Sequence, residues 1–439
     1  MFELNINIVI NSKKEIFIFR LTNDGEINYT IFDSSLTSLS SKNLYDKNIL
    51  KYSVIIDKND VMHLVALLNT GELNYYKYMD EKWVKATIAK FDMISNIYNQ
   101  IEILMIKNKL HIIYNYSNLI NSNIWTIQHV IYGDEEKHNA IRYISKRIPD
   151  PFAIDVDNQG TIHLLYRNNI NKPQIYHIFY SHYTKAWSPL SKQISSETSQ
   201  SSLPFLFIDS QDNLHGLWLE EIDGKYQIRY LKMSSGGKEK YIWKEIKLPY
   251  IQLSKYPPII FEENNKLKLI FTYNDNIDFL YSSNFGNSWL KGENSQSLSQ
   301  NTILAKVRSN INKINYIYCN ISEEPKLHFL DSFPDKKIWN TNENLKIESE
   351  NKTELSDSTN KEDFSISESE EVILETSEIN SNILDELENK FIDILDNYKA
   401  IESTLIKILN NQETIKNELN NIQNSINQKK DSFFNKFFN

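Results

Sequence analysis

A ten-residue pattern recurs three times in this chain without a gap. Ile56–Val65, Val156–Leu165 and Ile208–Leu217 each carry an Asp at the second position and a His at the eighth. A fourth copy, Leu104 to Tyr114, fits with a shortened turn around His111. Each copy reads as a strand, a tight polar turn and a second strand, because Asp, Asn and Gly tolerate the unusual backbone angles such turns need. The pattern continues where the His is replaced, at Glu15–Phe19, Lys266–Tyr273 and Lys313–Tyr318. The equivalent positions are then Phe17, His63, His111, His163, His215, Lys268 and Asn315, separated by 46, 48, 52, 52, 53 and 47 residues.

Seven units of about 50 residues therefore span residues 1–340. Most units continue with a Tyr-rich strand such as Leu73–Tyr78 or Gln227–Tyr230. A Trp then opens a fourth strand: Trp83, Trp187, Trp243, Trp289 and Trp339. In the third unit Trp125 occupies the preceding strand instead. Four short strands per unit at this period predict a β-propeller. One such unit cannot bury both faces alone, so neighbours must stack around an axis. The first and last units are the least regular, which leaves six or eight blades open, and the N-terminal strand Leu4–Ile10 is the candidate to close the ring.

One turn carries a resemblance to a known superfamily. Ser282, Asn284, Gly286, Ser288 and Trp289 are spaced as in the Asp-box (BNR repeat) of sialidase-like propellers, Ser-x-Asp-x-Gly-x-Thr-Trp, with Asn284 for the Asp and Ser288 for the Thr. The resemblance implies a propeller and a structural turn far from the ligand face. It does not carry the activity over. Sialidases of that superfamily use three arginines, a Tyr–Glu pair and an Asp acid/base. This chain has six arginines, and no such set is assignable. Arg147-Ile148-Pro149 resembles an Arg-Ile-Pro found near the start of sialidase domains. Here it falls between the third and fourth units and is treated as unconnected.

The four repeated histidines raise the question of a metal. Equivalent positions in a ring stay apart, so they do not converge as zinc ligands would. The expectation is a repeated core contact, each His tying its turn to a neighbouring strand. Arg167, Trp218 and Glu220 are the candidate ligand-binding residues, because a Trp, an acid and a basic group near loop ends suit a sugar. No catalytic residue, metal site or cofactor is assigned. Gly236-Gly237-Lys238 lacks the earlier Gly of a phosphate-binding loop, and Gly-x-Gly-x-x-Gly and Gly-x-Ser-x-Gly are absent.

Charge narrows the partners. Lys+Arg 48 against Asp+Glu 57 gives −9. Residues 340–371 hold ten acids and three lysines, hence −7 of that total. The remainder has no pull on phosphate backbones, so nucleic acid is not expected. The single Cys319 excludes an intrachain disulfide framework. Apolar runs are too short for a spanning helix. The N-terminus lacks the basic and apolar regions of a signal peptide, so the expected location is the cytoplasm, with spore or virion association left open.

After Trp339 the composition changes twice. Residues 341–378 read as a disordered acidic linker. Residues 379–430 carry heptads. The a positions are Leu384, Phe391, Tyr398, Leu405, Gln412, Leu419 and Ile426; the d positions are Leu387, Ile394, Ile401, Ile408, Ile415 and Ile422. Such a seam predicts a coiled coil roughly 65 Å long at 1.5 Å per residue. Ile at d favours a trimer or tetramer over a parallel dimer. Residues 431–439 form a tail with Phe433, Phe434, Phe437 and Phe438. The parts together suggest a multivalent binding or scaffold protein for a glycan or protein ligand. The alternatives are a glycoside-processing enzyme of sialidase-like fold and a spore or virion structural component.

Overall fold

A computed structural model of the chain describes residues 5–333 except 45, 135–136, 146–147, 223, 239, 250–255, 274, 294 and 323–324. The chain divides into two compact units, Met1–Thr341 and Asn342–Asn439. The described residues all belong to the first. The acidic linker, the heptad seam, the Phe-rich tail and Trp339 lie outside them.

The described residues are strands joined by turns, with one 3-10 turn at Leu119–Asn121. Blade 1 runs Ile6–Ile10, Ile16–Leu21, Ile27–Phe32, Ser38–Asn43, each strand antiparallel to the last. Blade 2 (Ile49–Ile56 to Lys82–Lys90), blade 3 (Asn96–Ile106 to Lys137–Ile144) and blade 5 (Gln200–Ile208 to Trp243–Glu245) repeat that order. Blade 4 (from Ala153–Val156) and blade 6 (from Ile259–Glu263) split the outer strand into two short pieces. Blade 7 has Thr302–Ser309, Tyr316–Asn320 and Lys326–Leu327. The seven equivalent positions of the sequence repeat all fall in, or immediately before, the second strand of a blade.

Consecutive blades are joined in turn. Tyr52 of blade 2 donates its hydroxyl to the carbonyls of Asn5 and Phe19 in blade 1, each at 3.0 Å. Ile55, Val65 and Leu67 of blade 2 share a core with Ile101, Ile103 and Ile112 of blade 3. Gln100 of blade 3 pairs with the backbone of Phe152 at the entry to blade 4. Asp155 accepts from the Ile208 amide across blades 4 and 5, Glu262 from that of Ser210 across blades 5 and 6, and the Lys313 carbonyl from that of Glu262 across blades 6 and 7. The ring closes where Ile6–Ile10 runs parallel to Thr302–Ser309, in register from Asn7↔Lys306 to Ile10↔Ser309. The N-terminal strand thus closes a seven-bladed β-propeller as the first strand of blade 1, joining two blades into one seven-stranded sheet.

The composition of each strand follows its place in the blade. Met62–Leu68 is buried at all seven positions, because a second strand is covered by a neighbouring blade on each side and reads as a continuous apolar run. Ser38–Asn43, an outer strand, is almost wholly exposed, and it is polar, with three serines and Lys42, as edges that must not pair with other chains are.

The turns repeat too. Asp57, Asp157 and Asp209 each use one carboxylate oxygen to accept from amides two and four residues on, at 2.7–3.0 Å. This Asx arrangement carries the chain through a left-handed residue, Asp60, Gly160 or Asp212. Blades 3 and 6 use two-residue turns instead, with φ positive at Lys107–Asn108 and Asn264–Asn265, the signature of a type I′ hairpin. That is the shortened turn around His111.

The repeated histidines sit above these turns. His63 and His215 reach a Tyr hydroxyl on the third strand, Tyr75 at 2.7 Å and Tyr230 at 2.8 Å. His111 and His163 reach a second His, His129 at 2.9 Å and His177 at 3.1 Å. On its other nitrogen His215 meets Asp209 at 3.0 Å with both side chains fully buried, and His63 meets Asp57 at 3.4 Å. The chain of contacts then crosses to the next blade through the fourth-strand Trp. Trp187 stands edge-on to His129, Trp243 to His177 and Trp289 to Tyr230; the Trp243 indole also donates to His177 at 3.2 Å. Trp83 packs likewise on Tyr29. Edge-on aromatic pairs contribute about 0.5–1.5 kcal/mol beyond their buried area.

The turn at Ser282–Trp289 closes on itself: Asn284 Oδ1 accepts from the Ser288 amide at 3.0 Å, and Ser282 Oγ from the Gly286 amide at 2.9 Å. Gly286 has φ +80°, and a Cβ there would stand 2.1 Å from the Tyr230 hydroxyl. Only glycine lets this turn approach the neighbouring blade.

Candidate functional site at the mouth of the axis

The loops that lead into the first strands all open on the face opposite the Asp turns. A cavity of about 260 Å³ lies there. Its walls come from five blades: Asn5 of blade 1, Lys51 and Tyr52 of blade 2, Asn99 and Gln100 of blade 3, Leu203 of blade 5 and Lys306 of blade 7. The connection from blade 3 to blade 4, Ile148 to Pro151, completes it. A pocket touching so many blades can lie only on the ring axis.

Asp150 is the centre of its geometry. Its Oδ2 accepts from Arg167 Nη1 and from the Leu203 amide, each at 2.9 Å. Its Oδ1 has no hydrogen-bond partner among the described residues. Prolines on both sides of Asp150 restrict the backbone that presents it. Leu203 holds φ +54° at an irregularity between Ser202 and Phe205. A branched side chain in that region costs of order 1–3 kcal/mol, and the bond to Asp150 is one of the contacts that hold it there.

The floor is polar and buried. Lys306 forms an ion pair with Glu102. Gln100 donates to Glu102 at 2.7 Å and to the Phe152 carbonyl at 3.0 Å, and accepts from the Phe152 amide at 2.9 Å. These groups fix one another. Lys306 keeps ammonium protons beyond the one given to Glu102, since the group carries three. Among the described residues Asn99 bonds through its amide nitrogen, toward the Pro149 carbonyl at 3.4 Å. Burial pushes the Tyr52 phenol up, so it stays a donor and its ring serves as wall.

Of the candidates named from sequence, the structure brings one near this pocket. Arg167 stands behind Asp150 as its ion-pair partner. Trp218 and Glu220 sit elsewhere, because Leu214–Ile222 is a nine-residue strand and runs on past the point where a loop was expected. Trp218 is 2% exposed and packs among Ala153, Leu165 and Leu206. Glu220 is buried and held by Arg229 and Ser199. No group of three or more His, Cys, Asp or Glu able to hold a metal occurs among the described residues.

Asn99, Asp150, Leu203 and Lys306 were not singled out in the sequence. A signal exists nonetheless. Twelve residues before the repeat positions Phe17, His63, His111, His163 and His215 stand Asn5, Lys51, Asn99, Pro151 and Leu203, all of which line the cavity. The register of the repeat therefore locates the mouth, although the residue types there do not repeat. Ile148-Pro149 of the tripeptide set aside above also lines it.

Fold and pocket define the class: a β-propeller with an axial cleft. No protein-family model matches the chain, and no curated protein matches it. Among solved structures it is similar to an ulvan lyase of polysaccharide lyase family PL25, with TM-score 0.49, 10% identity, and coverage of 73% of this chain and 90% of that one. It is similar to the BP39L lectin of Burkholderia pseudomallei, with TM-score 0.47, 10% identity and coverage of 74% and 97%. It is also similar to the six-bladed lectin of Aleuria aurantia, with TM-score 0.41, 12% identity and coverage of 68% and 97%. At such scores and identities none of these carries a function to this chain.

Proposed function

We propose that the protein is a non-catalytic glycan-binding propeller whose axial pocket takes a single sugar unit or chain end. The observation that carries this reading is Asp150: a carboxylate that lines the cavity, is fixed through one oxygen by Arg167 and the Leu203 amide, and has no hydrogen-bond partner on the other among the described residues. Around it stand Asn99 and Lys306 as further polar partners, and the Tyr52 ring, Ile148, Pro149 and Leu203 as apolar wall. A few convergent polar groups among apolar walls are what a small polar ligand needs. The cavity is small, which suits one ring better than a long segment.

Hydrolysis of a glycoside by the usual route needs two facing carboxylates. Asp150 is the one carboxylate among the described lining residues, so binding is favoured over that chemistry. The heptads of 379–430 extend the reading: three or four propellers on one stalk would raise a weak single-site affinity through effective concentration.

A glycan array probed with the full-length protein tests the reading. Binding is expected, and it should fall for Asp150→Asn and Asn99→Ala while both variants keep the wild-type melting temperature. Wild-type binding to no glycan, or binding indifferent to both substitutions, would remove the axial pocket as the site. Light scattering on the full chain tests the stalk separately, with a trimer or tetramer expected and a monomer excluding it.

A further inference from the structure

Six blades have an outer strand. Among the described residues blade 7 has none, and its last strand is Lys326–Leu327, a third strand two residues long. A cleft stands on either side of it. One, of about 580 Å³, lies toward blade 6, between Lys268, Phe279 and Tyr281 of that blade and Leu327, Phe329 and Phe333 of blade 7. The other, of about 700 Å³, lies toward blade 1, between its Arg20, Asn28 and Thr30 and Ile321 and Ser322 of blade 7. Both are larger than the axial cavity and share no residue with it.

The repeat says what fills the first cleft. Two places before the third-strand partner of the repeat position, blades 1, 3, 4 and 5 carry Tyr29, His129, His177 and Tyr230. Over each stands, edge-on, the Trp that opens the fourth strand of another blade, with ring centroids 5.3–6.2 Å apart. All four covered side chains are at most 6% exposed. Phe279 is the same position of blade 6. It is 40% exposed, although Phe329 lies against it at 4.8 Å. The next Trp along the chain is Trp339. It follows its repeat position, Asn315, by 24 residues, where Trp83, Trp187, Trp243 and Trp289 follow theirs by 20, 24, 28 and 21.

The chain is also delivered to this place. Glu263, beside the Asn264–Asn265 turn of blade 6, accepts from the amides of Asp331 and Ser332, each at 2.8 Å. Lys268 pairs with Asp331 at 2.8 Å and donates to the Phe329 carbonyl at 2.8 Å. These bonds fix the chain at the face where third strands end and fourth strands begin. Phe333, the last described residue, lines the cleft itself. Six further residues lead to Trp339, a reach of up to about 20 Å when extended.

We propose that this cleft is the docking site of the chain's own continuation: residues 335–341 complete blade 7 as its outer strand, and Trp339 seats edge-on over Phe279. The edge of blade 7 is thereby withheld from foreign strands, which an exposed sheet edge would otherwise template. The glycan reading has no part in this and the two stand or fall separately. Hydrogen exchange on the full chain is the test. Amides of 336–341 are expected to exchange at least about tenfold more slowly than those of 345–370. Trp339→Ser and Phe279→Ser are each expected to remove that protection, while Met62–Leu68 stays protected in both as the check on folding. Wild type alone decides the matter if either variant unfolds. Three results overturn the proposal: wild-type exchange at 336–341 as fast as at 345–370, protection that survives either substitution, or protection lost on dilution. The last would make the occupant of the cleft the same segment of a second copy.

Discussion

The two faces of the ring are built on opposite terms. On the turn face, the same solution is used again and again: an Asp folds its own turn, a His bridges to a Tyr or a second His, and a Trp from the next blade closes over the pair. Asp209, His215, Tyr230 and Trp289 are all buried and engaged with one another. On the mouth face the equivalent positions are Asn5, Lys51, Asn99, Pro151 and Leu203, different in every blade, and one oxygen of Asp150 has no hydrogen-bond partner among the described residues. Polar groups that satisfy each other serve the fold; polar groups held in place but left partly unmatched are available to a ligand. Repetition marks the first kind and its breakdown marks the second.

The largest effect expected from this contrast is with acid. Burial first of all holds His129 at about 3, His111 at about 4 and His177 at about 3, against an ordinary 6.5. The folded state keeps these rings neutral while the unfolded state protonates them near 6.5. Their stabilisation is therefore complete above that value and is lost as pH falls toward 4 and 3. Each should cost about 2 kcal/mol by pH 5, together on the order of 6 kcal/mol. Urea midpoints measured from pH 7.5 to 5 would show a steep decline, and a flat profile would contradict the burial of His111, His129 and His177 as neutral rings.

Next in size are substitutions within the repeated contacts. Asp209→Ala leaves the Nε2 of His215 and the turn amides without their buried partner and should cost about 3 kcal/mol. Asp57→Ala, with a longer and more exposed contact, should cost roughly 1 kcal/mol. Thermal melts of the pair test whether burial grades the effect. Gly286→Ala forces a methyl against Tyr230 and an alanine into φ +80°, and should cost about 2–4 kcal/mol. An unchanged melting temperature there would mean the turn does not pack on blade 5. The smallest stability effects are expected at the mouth, where Asn99→Ala should stay within about 0.5 kcal/mol of wild type.

Much of the turn face was legible in the sequence for a physical reason. Asp, His and Trp recur at a fixed period because each blade must solve the same burial problem, and a repeated problem leaves a repeated pattern. The tie that His63, His111, His163 and His215 make to the neighbouring strand of their own blade follows from that periodicity, as does the second-strand position they share. The mouth was not legible by residue type. Asp150 meets Arg167 within blade 4 and Leu203 only once blade 5 has packed beside it, and Lys306 meets Glu102 across 204 residues of chain. Trp218 and Glu220 were named because their residue types suit a sugar; the length of Leu214–Ile222 places both in buried positions.

The most direct measurement places the two faces side by side: ligand affinity by titration calorimetry and melting temperature for Asp150→Asn and for Asp57→Ala, with the glycan that binds wild type best. The account predicts that Asp150→Asn weakens binding at least tenfold with little change in melting temperature, and that Asp57→Ala lowers the melting temperature with affinity unchanged. Affinity lost through Asp57 and retained through Asp150 would contradict it.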